Sequence, residues 1–232
     1  MSGAPAHLIP LRDGRWDHAE GSLGQMERSR ADRFVRDVDR RRYVRLRLFT
    51  RLYLAEWYGV RPDEVELTTA RCAACGSDRH GAPIAKIGDH VVTLSLTQSG
   101  DVGGLLVGST DPVGLDVETV FDPPLFEAVR GVLSPAETSA LADAHQLEDP
   151  DSLTRAWTRK EAVLKAIGVG FFVDPQAVEV QAETDGRVVA SCTAPGWESE
   201  WDVHSIHLGS LHVAGAFRHP TPGRLRCIDH GL

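Results

Sequence analysis

Two short stretches of this chain hold side chains able to bind a cation and move a proton. In Gly114-Leu115-Asp116-Val117-Glu118, apolar and acidic residues alternate with the two-residue period of a strand. Asp116 and Glu118 then share one face, roughly 6.5–7 Å apart along the backbone. Like charges at that spacing repel, and a few carboxylate oxygens, with positions left for water and phosphate, are how magnesium is usually held. For such a pair alone, a half-exposed edge strand with solvated acids is the competing reading. The second stretch runs from Trp157 through Lys160, Glu161 and Lys165 to Gly168-Val169-Gly170, and it carries two of the chain's three lysines. As a helix it places Trp157, Glu161 and Lys165 at i, i+4 and i+8, close to one face. A carboxylate and an ammonium one turn apart beside an apolar stripe form either a surface ion pair or a base with a phosphate clamp.

The elements that must position these groups repeat one plan in the two halves of the chain. A long helix near Val38–Tyr58 ends at Gly59, and short β-branched runs follow at Val65–Thr68, Val91–Leu96 and Gly104–Ser109. A second long helix near Ser152–Ile167 ends at Gly168, with runs at Ala177–Gln181, Val188–Cys192, Trp201–His207 and Leu211–Phe217 after it. Asp185-Gly186 signals a hairpin, and Asp111-Pro112 a turn that divides residues 1–110 from 111–232. Ser134-Pro135-Ala136-Glu137 predicts a helix start with Ser134 as N-cap and Glu137 completing a capping box. Helix then strands, twice, is an α+β fold of two similar subdomains.

The 232 residues have an ordinary globular composition, with no long apolar run and only four cysteines, too scattered for a disulfide framework. A cytoplasmic protein is expected. The net charge of −8 argues against nucleic acid as partner, but eleven arginines face four acids between Arg28 and Arg61. That basic stretch suits an anionic ligand or an acidic partner, or is a solvated helix face. Cys72, Cys75 and His80 offer three potential zinc ligands where a closed structural site needs four, and the segment reads as a structural loop. His204, His207 and His212 follow strand spacing and read as half-buried or surface residues.

Taken together, the two acid-bearing stretches, about forty residues apart, resemble the paired signature of the Sfp-type 4′-phosphopantetheinyl transferases. Arg30–Phe34, the Arg40–Arg51 helix, His80-Gly81-Ala82-Pro83 and Thr97-Gln98-Ser99-Gly100-Asp101 resemble further elements of that family. The resemblance implies two subdomains related by a pseudo-twofold axis with the site between them. It implies transfer of phosphopantetheine from coenzyme A to a serine of an apo acyl- or peptidyl-carrier protein by a monomeric enzyme. Asp116, Glu118 and Glu161 would hold magnesium, or manganese, with Glu161 as proton acceptor. Lys165 and Lys160 would contact phosphate oxygens, as would Arg47, Arg51, Thr97 and Gln98, with Arg42 a further basic residue on the same helix. Two positions depart from the family: Ala82 stands where a cation is usual, and Gln98 where a histidine is. A relative that binds coenzyme A or a carrier without transfer is the alternative they leave open, and a pyrophosphohydrolase using the same acids is a further one.

Overall fold

In the computed structural model of the chain, residues 5–78, 80–108, 110–181, 183, 188–220 and 225–232 are described, apart from the Phe171 side chain. The Asp185-Gly186 hairpin and Ser109, next to the expected division of the chain, lie outside them.

The first half begins with β1 (Pro5–Pro10), α1 (Gln25–Ala31) and the long α2 (Asp37–Tyr58). The strands β2 (Glu66–Thr69), β3 (Pro83–Ile87), β4 (His90–Ser99) and β5 (Val102–Val107) follow. The second half has β6 (Val113–Thr119), α3 (Phe126–Arg130), α4 (Pro135–Asp143) and α5 (Pro150–Ile167). It closes with β7 (Val178–Val180), β8 (Val188–Cys192), β9 (Ser199–Leu208), β10 (Leu211–Arg218) and β11 (Arg226–Asp229). One sheet has the order β11-β1-β5-β4-β3-β2 and the other β6-β10-β9-β8-β7. The architecture is α+β, as the pattern of runs predicts.

Each long helix covers one sheet. Leu48, Phe49, Leu54 and Ala55 of α2 pack on Leu67, Ile87, Leu94 and Leu105. Ala162, Val163 and Ala166 of α5 pack on Ala190, Trp201, Val203 and Ala214. Both helices stop at a glycine in the left-handed region, Gly59 (φ +67°) and Gly168 (φ +77°), which costs a residue without Cβ little. Ser134 and Glu137 form the expected capping box: the Glu137 N–H donates to Ser134 Oγ (3.2 Å) and the Ser134 N–H to Glu137 Oε2 (2.7 Å).

The end of the chain departs from the expected division at residue 111. Strand β11 pairs in parallel with β1, so the last described strand belongs to the first sheet. The pairing joins residues more than two hundred positions apart, and neither short run carries a local signal for it. A third apolar cluster, with Leu8 and Leu106 of one sheet against Leu115, Val117 and Val213 of the other, binds the halves together.

The halves meet along β4 and β6, which are joined by hydroxyls in place of a backbone ladder. The N–H groups of Leu115, Val117 and Thr119 donate to Ser95 Oγ (2.8 Å), Thr97 Oγ1 (3.4 Å) and Ser99 Oγ (3.3 Å). A strand edge left bare in that interior would strand three donors. Helix α5 then lies directly on β6, because Gly114 has no Cβ: one placed there would sit 1.8 Å from the Ala162 carbonyl oxygen. Among the described residues, no helix is long and apolar enough to cross a membrane.

Ser95→Ala removes the acceptor of a buried N–H, and the expected loss of stability is about 1–3 kcal/mol. Urea denaturation measures it, and an unchanged midpoint and slope would show that the seam does not depend on that hydroxyl.

Candidate active site

The seam places the acids. Because Ser95, Thr97 and Ser99 alternate along β4, the hydroxyls that satisfy the β6 backbone also reach its carboxylates. Thr97 Oγ1 donates to Asp116 Oδ1 (3.0 Å) and Ser99 Oγ to Glu118 Oε2 (2.7 Å). The contact at Gly114 sets α5 at the height that brings Lys165 Nζ to 2.6 Å from Asp116 Oδ1 and 3.1 Å from Thr97 Oγ1. Trp157, Glu161, Leu164 and Lys165 line one cavity, as the helical spacing predicts.

The electrostatics of this cluster are unbalanced. Asp116 is 2% exposed, and its Oδ2 is buried without a hydrogen-bond partner. Burial and the neighbouring Asp116 push Glu118 up to about 7, against hydrogen bonds from Ser99 and Trp157 and the charge of Lys165. Burial raises Glu161 as well, with Lys165 opposing and Asp116 adding to the rise. Three carboxylates thus share one ammonium, and a second cation is what the site lacks. Their oxygens do not all lie within 4.8 Å of one another. The orphaned Asp116 oxygen and an all-oxygen donor set fit a hard divalent cation.

Two cavities open beside the cluster. The first, about 310 Å³, runs from Glu161 and Lys165 along Trp157, Leu96, Ala82 and Val173, and its walls are mostly apolar. The second, about 780 Å³, is bordered by Arg30, Arg33 and Arg47, with Tyr43 and Thr69. They share His80, Gly81 and Pro83, so a mostly apolar channel adjoins a broad basic cleft. Arg47 lies over the Tyr43 ring, 5.3 Å from its centroid. Arg30 and Arg33 are cleft residues that the sequence reading did not single out, although their i, i+3 spacing inside the arginine-rich stretch carried the signal.

Five of the residues expected to contact the ligand, Lys160, Arg51, Gln98, Thr97 and Arg42, line neither cavity. Lys160 is fully buried, with Nζ 2.8 Å from Glu137 and donating to the carbonyls of Pro175 (2.9 Å) and Val178. It ties α5 to α4 and β7, and burial lowers its pKa, opposed by Glu137. Arg51 is 3% exposed, paired with Glu27 (Nε–Oε2 2.9 Å) and donating to the carbonyls of Pro62 (3.0 Å) and Val65. It faces into the core under α1 instead of the cleft, one turn from Arg47, which faces out. Gln98 is exposed, on the side of β4 opposite Thr97 and Ser99, and lines neither cavity. Thr97 serves the seam and Asp116. Arg42, the less direct candidate, pairs with Asp101 (2.7 Å) and Asp39 (3.3 Å).

Residues 112–217, from the turn before β6 to β10, match the family model of the 4′-phosphopantetheinyl transferase superfamily. The chain is 25% identical over 182 residues to a 4′-phosphopantetheinyl transferase of Bacillus subtilis, covering 77% of this chain and 75% of that one. It is 24% identical over 221 residues to an L-aminoadipate-semialdehyde dehydrogenase-phosphopantetheinyl transferase of Schizosaccharomyces pombe, covering 84% and 83%. A third relative, the 4′-phosphopantetheinyl transferase HetI of a Nostoc species, is 27% identical over 179 residues, covering 76% and 71%.

Two outcomes follow from these placements. Lys160→Ala leaves Glu137 as a buried unpaired charge, and the expected loss is about 3–5 kcal/mol in chemical denaturation; a stable variant would return Lys160 to the list of ligand contacts. A carboxyl raised from 4.5 to about 7 binds its proton more tightly folded than unfolded. Without divalent metal, stability therefore falls as pH rises through that window. Glu118→Gln is expected to flatten the fall in thermal midpoint, and a fall of the same size in the variant would locate the titration elsewhere.

Proposed function

We propose, from the match of residues 112–217 to the 4′-phosphopantetheinyl transferase superfamily and the likeness to relatives of that name, that the chain moves phosphopantetheine from coenzyme A to a serine of an apo acyl- or peptidyl-carrier protein. The serine oxygen forms a bond to the pantetheine-side phosphorus, the pyrophosphate P–O bond breaks, and adenosine 3′,5′-bisphosphate leaves. The observation that carries this reading is the adjacency of two unlike cavities. Glu161 and Lys165 line a mostly apolar channel that adjoins a basic cavity. Coenzyme A has that shape and charge: a long thin arm, a pyrophosphate, and a phosphorylated nucleoside.

Each group then has a role on chemical grounds. Arg30, Arg33 and Arg47 neutralise the nucleotide phosphates, and Tyr43 offers a flat face beside them. Lys165, held by Asp116 and Thr97, donates to a pyrophosphate oxygen. Glu161, partly desolvated against Trp157 and Leu164, has the raised pKa that favours taking the serine proton. Asp116, Glu118 and Glu161 would hold magnesium or manganese, whose charge offsets that of the pyrophosphate as it separates. Glu118, protonated below about pH 7, becomes a full ligand only as it ionises. The reading of a coenzyme-binding relative without transfer is less favoured, since Glu161 and Lys165 line the cavity and Lys165 is itself paired with the buried Asp116. Ala82 itself lines the channel, and three arginines, Arg30, Arg33 and Arg47, supply cations in the adjoining basic cleft. A monomer working in the cytoplasm is the accompanying expectation.

Intact mass of an apo carrier protein, incubated with this chain, coenzyme A and magnesium, tests the reading. The expected gain is about 340 Da, the phosphopantetheine moiety, and it should disappear with a chelator. Glu161→Gln is expected to slow transfer about 10²–10⁴-fold while coenzyme A still binds. No gain across acyl- and peptidyl-carrier panels would overturn the assignment.

A further inference from the structure

The loop joining β2 to β3 contains a side-chain cluster that the transfer reaction does not use. Its base is closed by the Ala70 N–H donating to the Ala82 carbonyl at 2.8 Å. Near its start, Cys72 and Cys75 flank two alanines and are followed by Gly76, which adopts a φ of +72°. The Gly76 N–H donates to the Cys72 carbonyl (2.8 Å) and the Cys72 N–H to the Ser77 carbonyl (2.9 Å), closing a tight knuckle. The chain then returns so that His80 Nε2 lies 3.2 Å from Cys75 Sγ. The donor atoms of Cys72, Cys75 and His80 all fall within 4.8 Å of one another, and both cysteines are free thiols.

We propose that Cys72, Cys75 and His80 bind one zinc ion, with water in the fourth position. Tetrahedral zinc, with sulfur at about 2.3 Å and nitrogen at about 2.0–2.1 Å, needs donor atoms a little closer together than this limit. Small side-chain rotations therefore complete the site with no backbone movement. Two thiolates and an imidazole suit a borderline-soft ion, whereas the carboxylates of the catalytic cluster suit a hard one. The two sites thus select different metals. Among the described residues no further histidine, cysteine or acid joins the group.

Two thiolates cancel the charge of the ion, so the metal adds no net cation to the cleft. Its work is positional. His80 borders both cavities and stacks on Phe172 with an interplanar angle of 14°. Gly81, Ala82 and Pro83, directly after it, form the channel wall. A metal on His80 pins that wall to the knuckle.

The test is cobalt(II) substitution in the reduced, chelator-treated full chain, without a histidine tag. Expected are one equivalent bound, a thiolate-to-cobalt charge-transfer band, the strong d–d absorption of a tetrahedral ion, and displacement by zinc. The sulfur band separates this site from the Asp151, His207 and His212 group, whose donors are nitrogen and oxygen. Cys75 is exposed, so Cys75→Ser should fold, bind cobalt at least about tenfold more weakly and, with one thiolate left, show about half the band intensity at saturation. The Cys72→Ser/Cys75→Ser double variant should lose the band, and His80→Ala should keep it with weaker binding. Absence of the band in reduced wild-type protein, or a band of unchanged intensity and affinity in Cys75→Ser, would overturn the proposal, and neither result depends on whether transfer occurs.

Discussion

The hydroxyl seam between β4 and β6 is the interaction on which the rest of the molecule depends. An edge strand carries a row of N–H donors that must be satisfied when it is buried, and here a second strand supplies side-chain oxygens in place of carbonyls. Carbonyl pairing would have merged the two sheets into one continuous surface. Hydroxyls keep them distinct and add a capability that carbonyls lack, because each hydroxyl can also donate. Thr97 and Ser99 spend that hydrogen on Asp116 and Glu118. The same three residues therefore join the halves, fix the register of β6 and orient the acids.

Gly114 completes this arrangement from the other side. With α5 in backbone contact with β6, Lys165 reaches a buried carboxylate that solvent does not reach. The cluster is left with more negative charge than its one lysine can balance, and Glu118 and Glu161 respond by holding their protons more tightly. A divalent cation bound among these carboxylates would displace those protons, so its affinity would rise with pH.

The parts of this design that were legible in the sequence are the local ones. Alternation placed Asp116 and Glu118 on one face of a strand, and helical spacing placed Trp157, Glu161 and Lys165 on one face of α5. The capping box at Ser134 was legible for the same reason. The residues placed away from the cavities owe their positions to partners far along the chain. Lys160 sits one residue from Glu161, yet its partner Glu137 belongs to another helix. Arg51 sits one turn from Arg47, yet Glu27 draws it into the core. Neither charge type nor spacing distinguishes an inward cation from an outward one, since burial is decided by what packs over it. Strands β1 and β11 escaped notice because each is short and they pair only with distant residues. Thr97 was read as a ligand contact because a threonine in a polar strand looks the same whether its hydroxyl meets a phosphate or a neighbouring backbone.

The parallel pairing of β1 with β11 has a consequence for how the chain is made. During vectorial synthesis on the ribosome, β1 emerges more than two hundred residues before its partner at Arg226–Asp229. Antiparallel pairing with β5 can cover one edge of β1 early, but its other edge remains open until that partner has been made. An uncovered strand edge invites pairing with another nascent chain. The first half can thus assemble its helix-on-sheet core as it emerges, but its sheet is closed only after the second half has been delivered.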